Sequence, residues 1–136
     1  MIEATIEKLI AMKLSGMAEG LQEQISNHAY KDLSFEERLG ILVDKEKLSR
    51  ENRQLKILLS HAHLRHHNAC FEDIDFRTRR GLSKDVILKL SQNEWIRSNQ
   101  NIIIVGPTGS GKTYIACSLG NSAVRQGIQT VYIRLP

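Results

Sequence analysis

The sequence predicts an α/β fold: a helical N-terminal domain, then the start of an α/β domain running strand, loop, helix, strand. Three observations carry that expectation. Apolar residues recur at three- and four-residue steps through much of the first 63 positions, the period of amphipathic helices. Ile102-Ile103-Ile104-Val105, a run that reads as a fully buried strand, leads into Gly106-Pro107-Thr108-Gly109-Ser110-Gly111-Lys112-Thr113 and then a helix. A second β-prone run, Gln129-Thr130-Val131-Tyr132-Ile133-Arg134, comes after that helix.

Taken in order, Ile2, Ile6, Leu9, Ile10, Met17, Leu21 and Ile25 form a first apolar stripe, read as a bundle face. Gly16 and Gly20 weaken its second half, so a bend or break is expected near Ser15-Gly16. Asn27 to Leu33 is a connection. Ser34 with Glu37 three residues on makes a capping box for a second helix from about Phe35 to His63, roughly 45 Å long at about 1.5 Å per residue. Phe35, Leu39, Leu42 and Val43 start its apolar face, and Leu55, Leu58, Leu59 and Ala62 continue it. Its polar middle carries Lys47, Arg50, Arg53 and Lys56 at three-residue steps, a drifting basic stripe suited to DNA phosphates or a partner. A solvated helix is the simpler reading, since Glu46 precedes Arg50 by four in the favourable order.

His61, His63, His66 and His67 cluster before Cys70, so zinc has to be weighed. A second cysteine pair is lacking and His61 and His63 fall on different helix faces, which favours a polar helix end. Cys70 to Arg80 reads as a linker: Phe71-Glu72-Asp73-Ile74-Asp75-Phe76, then the basic triplet Arg77, Arg79 and Arg80. After Gly81, Ser83 caps a third helical segment from Lys84 to about Trp95, with Val86, Ile87, Leu88 and Leu90 apolar. Trp95 and Ile96 dock it on the α/β domain, and Ser98 to Asn101 turn into the first strand. Tyr114 to Arg125 supplies the next helix, with Ala116, Leu119, Ala123 and Val124 as core positions and Gly127 as its C-cap. The expected divisions are 1–70 (helical domain), 71–100 (linker and docking helix) and 101–136 (start of the α/β domain).

Gly106 to Thr113 match the phosphate-loop pattern G-x-x-x-x-G-K-[ST], the Walker A motif, at every fixed position. Glycines permit torsions and a close approach that side chains obstruct, so several N–H groups can converge on an anion at the helix N-terminus. Lys112 is placed to reach the β- and γ-phosphates of a nucleotide, and the Thr113 hydroxyl to ligate Mg²⁺. Nineteen Lys and Arg against fifteen Asp and Glu give +4, which permits a nucleic-acid partner without requiring one. Two cysteines make no disulfide framework, and neither a signal peptide nor a membrane-length apolar run is present; a soluble, cytoplasmic protein is expected.

With these residues laid out, the chain resembles the IstB-like transposition helper ATPases, which are similar to DnaC-like helicase loaders within the AAA+ class. The resemblance rests on Leu14-Ser15-Gly16-Met17-Ala18, Leu33-Ser34-Phe35-Glu36-Glu37-Arg38-Leu39, Phe71 to Phe76 with Arg80-Gly81-Leu82, and Asn101 through Ala116. Tyr114 departs from the His expected after the Lys-Thr pair, a change of packing and not of phosphate contact. The resemblance implies a P-loop AAA+ three-layer α/β domain binding ATP and Mg²⁺ through Gly106 to Thr113. It implies a helical domain that engages a transposase or DNA, non-specific binding of double-stranded DNA, and ATP-dependent homo-oligomers. It also implies an acidic strand, a polar sensor and an arginine finger beyond the second strand, so the chain reads as an incomplete copy with ATP contacts but without competent hydrolysis. Adenine contact near Asp75 to Gly81 is implied as well. The competing readings are a helicase loader, a non-enzymatic partner-binding module with a vestigial loop, and a small-molecule kinase.

Overall fold

The computed structural model describes residues 1–77 and 79–136. They form α1 (Ile2–Ala11), α2 (Ser15–Ser26), a 3₁₀ turn at His28–Tyr30 and α3 (Phe35–Ala62). A second 3₁₀ turn at Phe71–Asp73 precedes α4 (Lys84–Ser91), α5 (Glu94–Arg97) and α6 (Lys112–Arg125). Contacts divide the chain into two units, Met1–Gln54 and Leu55–Pro136.

In the first unit the expected break falls at Met12 to Leu14, slightly before Ser15. Lys13 takes a left-handed φ of 61°, and the N–H groups of Lys13 and Leu14 bond back to Ile10 and Leu9 at 2.9 and 2.8 Å. Those two bonds close the carbonyls at the end of α1, with lysine where glycine is usual. Helix α1 contains no fully buried residue, and its Ile2 and Ile10 stay exposed, so much less of the first stripe is enclosed than a bundle face requires. The capping box at Ser34 forms in both directions: Ser34 N–H to Glu37 Oε2 at 2.7 Å, Glu37 N–H to Ser34 Oγ at 3.2 Å. Glu37 is held below the usual carboxylate range by the Ser34 backbone N–H and then its hydroxyl.

The two glycines of α2 pack it on α3. A Cβ on Gly16 would lie 2.8 Å from both the Glu46 Cα and the Lys45 carbonyl oxygen, and one on Gly20 would lie 2.8 Å from Leu42 Cδ2. Glu46, only 7% exposed, accepts the Met17 N–H at 3.0 Å and so satisfies the α2 N-terminus from the neighbouring helix. Glu23 joins the same contact further along, paired with Lys45 and accepting the Tyr30 hydroxyl at 2.9 Å.

The second unit assembles around α6. Cys117, Val124, Ala62, Leu64 and Ala69 form its core, with Leu55, Leu58, Leu59, Tyr114 and Tyr132 packed against them. Asn121 Nδ2 donates to the Ala69 and His67 carbonyls at 2.9 and 3.2 Å, tying α6 to the segment after α3. Ser122 links α6 to α4 through the Ser91 carbonyl at 3.0 Å. The helix ends as its Gly127 predicts: Gly127 has φ 79°, and Gly127 and Ile128 donate to Val124 and Ala123 at 2.9 and 3.0 Å. The third helical segment is two helices, because Asn93 between them is left-handed at φ 60°.

The expected α/β class is not what forms. Among the described residues there is no β-strand, and neither 102–105 nor 129–134 pairs into a sheet. A strand exists only by exchanging ladder hydrogen bonds with a partner. Among the described residues these two segments exchange none; Tyr132 N–H instead donates to the Ala62 carbonyl at the end of α3, at 2.7 Å. Their burial alternates. Ile102, Ile104, Ile128, Thr130 and Tyr132 are half-buried, whereas Ile103 and Ile133 are 86% and 75% exposed. The apolar run read as fully buried is thus covered on one face only, and the three-layer AAA+ arrangement of strand, loop, helix and strand is corrected to a helical structure.

The close approach at Gly16 yields a paired prediction. Gly16→Ala should destabilise the first unit by about 1–3 kcal/mol, since the added methyl meets backbone that cannot swing aside. Gly40→Ala, inside α3 with open space around it, should instead stabilise by about 0.5–1 kcal/mol. Urea unfolding monitored by helical circular dichroism distinguishes them, and shifts of the same sign would mean that the α2–α3 contact is not glycine-dependent.

Candidate functional site

The glycine-rich loop lies in the second unit and ends in the first turn of α6. Gly109 and Gly111 adopt φ of 79° and 96°, torsions that a side chain resists. Gly106 is confined differently, since a Cβ there would press on Ser110 Oγ at 3.0 Å. Gly111 is the N-cap residue of α6 and has no side chain with which to cap it. The first-turn N–H groups of Lys112, Thr113 and Tyr114 therefore lack both an intrahelical acceptor and a side-chain cap, at the positive end of a 14-residue helix. Ser110 Oγ braces the loop through the Pro107 carbonyl at 2.7 Å. The Lys112 ammonium folds back over the loop to the carbonyls of Gly106 and Pro107, at 2.6 and 2.7 Å.

A cleft of about 220 Å³ opens beside this loop. The linker lines one side with Asp73, Ile74, Asp75, Arg80 and Leu82; Gly111, Tyr114 and Ile115 line the other. Tyr114, which replaces an expected histidine, packs against the core and turns its hydroxyl to the Cys70 backbone N–H at 3.4 Å. Arg80 reaches across to the Ser110 carbonyl at 3.4 Å, with a second guanidinium nitrogen on the Asp75 carbonyl. The sequence showed Arg80 in a basic triplet, and the resemblance placed it in the Asp75 to Gly81 stretch near the adenine, without a phosphate role. The usable signal was the glycine behind it: Gly81 takes φ 73°, turning the chain directly after Arg80.

The stripe Lys47, Arg50, Arg53 and Lys56 is remote in sequence from this loop, and three of its four cations lie near a carboxylate. Arg50 Nε and an Arg53 terminal nitrogen lie 2.9 and 3.6 Å from the same Glu46 oxygen, and Lys47 lies 4.0 Å from Glu51. These three belong to the first unit; Lys56 belongs to the second and is in no ion pair among the described residues. The histidine cluster is occupied locally. His67 Nδ1 lies 3.2 Å from the Leu64 carbonyl, and the His66 ring is tilted against Tyr114 at 6.1 Å. Among the described residues no group of three or more His, Cys, Asp or Glu is disposed to hold a metal. Cys70 donates to Asp73 Oδ2 at 3.1 Å, a bond that holds its thiol above the usual range. No helix among the described residues is long and apolar enough to cross a membrane.

A family model described as IstB-like ATP binding protein matches residues 7–136. An insertion sequence IS1162 protein of Pseudomonas fluorescens, described as ATP-binding, is 43% identical over 136 residues, all of this chain and 59% of the relative. A Sinorhizobium fredii insertion-sequence protein of the same description is 42% identical over 97% of this chain and 54% of its own length. A third, from IS21 of Pseudomonas aeruginosa, is 30% identical over 98% of this chain and 49% of its own length. The chain thus spans about half, or slightly more, of the length of these relatives.

The electrostatics of the stripe give a pH prediction. Glu46 is held below its ordinary value near 4.5, first by Arg50 and then by the Met17 and Gly16 N–H groups, with desolvation opposing. A depressed folded-state value means stability that is present above the unfolded value and lost as the pH falls through the folded one. Wild type should therefore exceed Glu46→Gln in stability near neutral pH, and the gap should close on acidification below about pH 4.5. Denaturant titrations at several pH values measure it; a gap independent of pH would remove the carboxylate charge from the contact.

Proposed function

This chain belongs to the IstB-like ATP-binding proteins, and we propose that it is an ATP-binding helper of DNA transposition. The observation that carries the reading is the Lys112 ammonium lying 2.6 and 2.7 Å from two carbonyls of a glycine loop that opens onto an uncapped helix N-terminus. A lysine, a set of free N–H groups and a helix dipole converge there, which is the chemistry that recognises a polyphosphate. The residues fit the group. Gly106, Pro107, Thr108, Gly109, Ser110, Gly111, Lys112 and Thr113 would surround its phosphates, and the adjoining cleft, of about 220 Å³, would take the nucleoside.

Each residue has a distinct task. Gly109 and Gly111 set the torsions that let backbone approach the phosphates, while Ser110 holds the loop in shape through Pro107. Lys112 moves its charge from neutral carbonyls to phosphate oxygens. Thr113, in the first turn of α6, would hold Mg²⁺ through its hydroxyl if the nucleotide brings that ion. Bound ATP supplies a charged ligand that orders loop and cleft together, and in the whole protein an energy source. The names of the relatives join ATP binding to insertion sequences, which supports a transposase as the partner, double-stranded DNA as the substrate surface, and a cytoplasmic setting. ATP-dependent self-association is part of the same proposal. Lys47, Arg50 and Arg53 of the first unit are the proposed cationic contacts for DNA, and Lys56 is a separate candidate in the second.

Calorimetric titration with MgATP tests the site. Lys112→Ala should weaken binding at least tenfold, since a hydrogen bond to a charged group contributes about 1.5–3 kcal/mol. Equal affinity in wild type and variant would refute it. Binding to duplex DNA should be independent of sequence and fall steeply with salt, by a slope of about −0.9 for each phosphate neutralised. Fluorescence anisotropy at three salt concentrations measures this, and affinity indifferent to salt would exclude a phosphate-contacting stripe.

A further inference from the structure

Two cations, not one, bracket the glycine loop. Lys112 covers its start, on the carbonyls of Gly106 and Pro107. Arg80, thirty residues from Ser110 in the chain, covers its end: one guanidinium nitrogen is 3.4 Å from the Ser110 carbonyl oxygen and 3.3 Å from where a Cβ on Gly111 would stand. Any side chain at 111 would crowd it. Among the described residues Arg80 makes no ion pair; its hydrogen bonds go to the carbonyls of Ser110 and Asp75. A neutral acceptor gives a guanidinium up more readily than a carboxylate does, because charge-assisted bonds are roughly twice as strong.

We propose that Arg80 is a second phosphate-binding residue, taking the phosphate nearest the nucleoside. The inference rests on the nucleotide reading of the loop and adds a contact from outside the motif. Position decides which phosphate. Arg80 lines the cleft together with Ile74, Leu82, Tyr114 and Ile115, so it stands where the cleft meets the α6 N-terminus, whereas Lys112 stands on the loop. A nucleotide with its base in the cleft and its terminal phosphates under Lys112 passes Arg80 at the first phosphate. The planar guanidinium presents paired N–H donors to such a group. The contact has a structural consequence, since Arg80 belongs to the linker: nucleotide would fasten the linker to the loop, and Gly81, with φ 73°, supplies the turn that keeps Arg80 facing it.

Calorimetry on the 136-residue chain tests the assignment, using MgATP and MgADP with wild type, Arg80→Ala, Arg80→Lys and Lys112→Ala. Arg80→Ala should weaken ATP and ADP by a similar factor, on the order of 10-fold or more. Its affinity should also depend less steeply on salt than that of wild type, a change that a merely structural role would not produce. Arg80→Lys should fall between, keeping the charge without the fork, and it carries the test if Arg80→Ala does not fold. Loss confined to ATP would put Arg80 on the terminal phosphate and overturn the assignment. Unchanged affinity for both nucleotides, with Lys112→Ala impaired, would overturn it while leaving the loop reading intact. Failure of wild type to bind, or of Lys112→Ala to weaken binding, would remove the loop reading and the Arg80 assignment with it.

Discussion

Helix α6 must be buried along its length and open at its beginning, and much of the second unit derives from that conflict. Cys117, Ser118 and Val124 are almost wholly enclosed, and Gly120 allows Leu64 to approach within what would be 2.9 Å of a Cβ. Asn121 is 3% exposed, and its amide is satisfied by two carbonyls of the segment after α3. Packing and hydrogen bonds thus hold the helix axis. Its first turn is treated in the opposite way, because the N-cap residue is a glycine. The N–H groups that serine or aspartate could have satisfied are left without a side-chain cap. A rigid rod ending in donors without a side-chain cap is the arrangement that the proposed anion site would need, with its ordering cost met on folding and not on binding.

The first unit solves the same end problem by the opposite means. Leu14, the N-cap residue of α2, offers no side-chain bond, and the deficit is made good by Glu46 from α3. That solution needs the backbones close together, and glycine at 16 and 20 allows it. It also commits the carboxylate to two roles. One oxygen takes the Met17 N–H, while the other faces Arg50 and Arg53. A buried carboxylate flanked by backbone donors and a guanidinium favours its charged form, so helix cap and arginine pairing support one another.

How much of this was legible in the sequence differs by residue, for physical reasons. The Ser34–Glu37 box, the Gly127 terminus and the reach of α3 are local events, written in residues three or four apart, and they formed as read. The strands were not legible in that way. Ile102 to Val105 have strand propensity, but a strand is a relation to a second segment, and propensity does not supply the partner. The break expected near Ser15-Gly16 fell slightly earlier because a lysine, Lys13, took the left-handed position that glycine usually marks. Gly16 and Gly20 were read as weaknesses of a helix, although their value lies in the contact they permit. Gly109 and Gly111 do take left-handed torsions, whereas the contact of Arg80 with Ser110 depended on a turn that neither the basic triplet nor the linker stretch revealed.

Pairing also ranks the cations of the chain by availability. Arg50 and Arg53 share Glu46, so a DNA phosphate would have to compete with a carboxylate that the helix contact holds in place. Among the described residues the ion-pair partner of Lys47 is Glu51 at 4.0 Å, both of them well exposed, and a pair of that kind is worth little in water. Lys112 and Arg80 rest on neutral carbonyls. In the proposed site a phosphate would displace a weaker acceptor there, and no ion pair among the described residues would be broken. The same charge on a lysine or arginine is therefore committed structure near Glu46 and available binding capacity at the α6 loop. Local partners, more than the count of basic residues, are the ground for proposing the loop as the anion site.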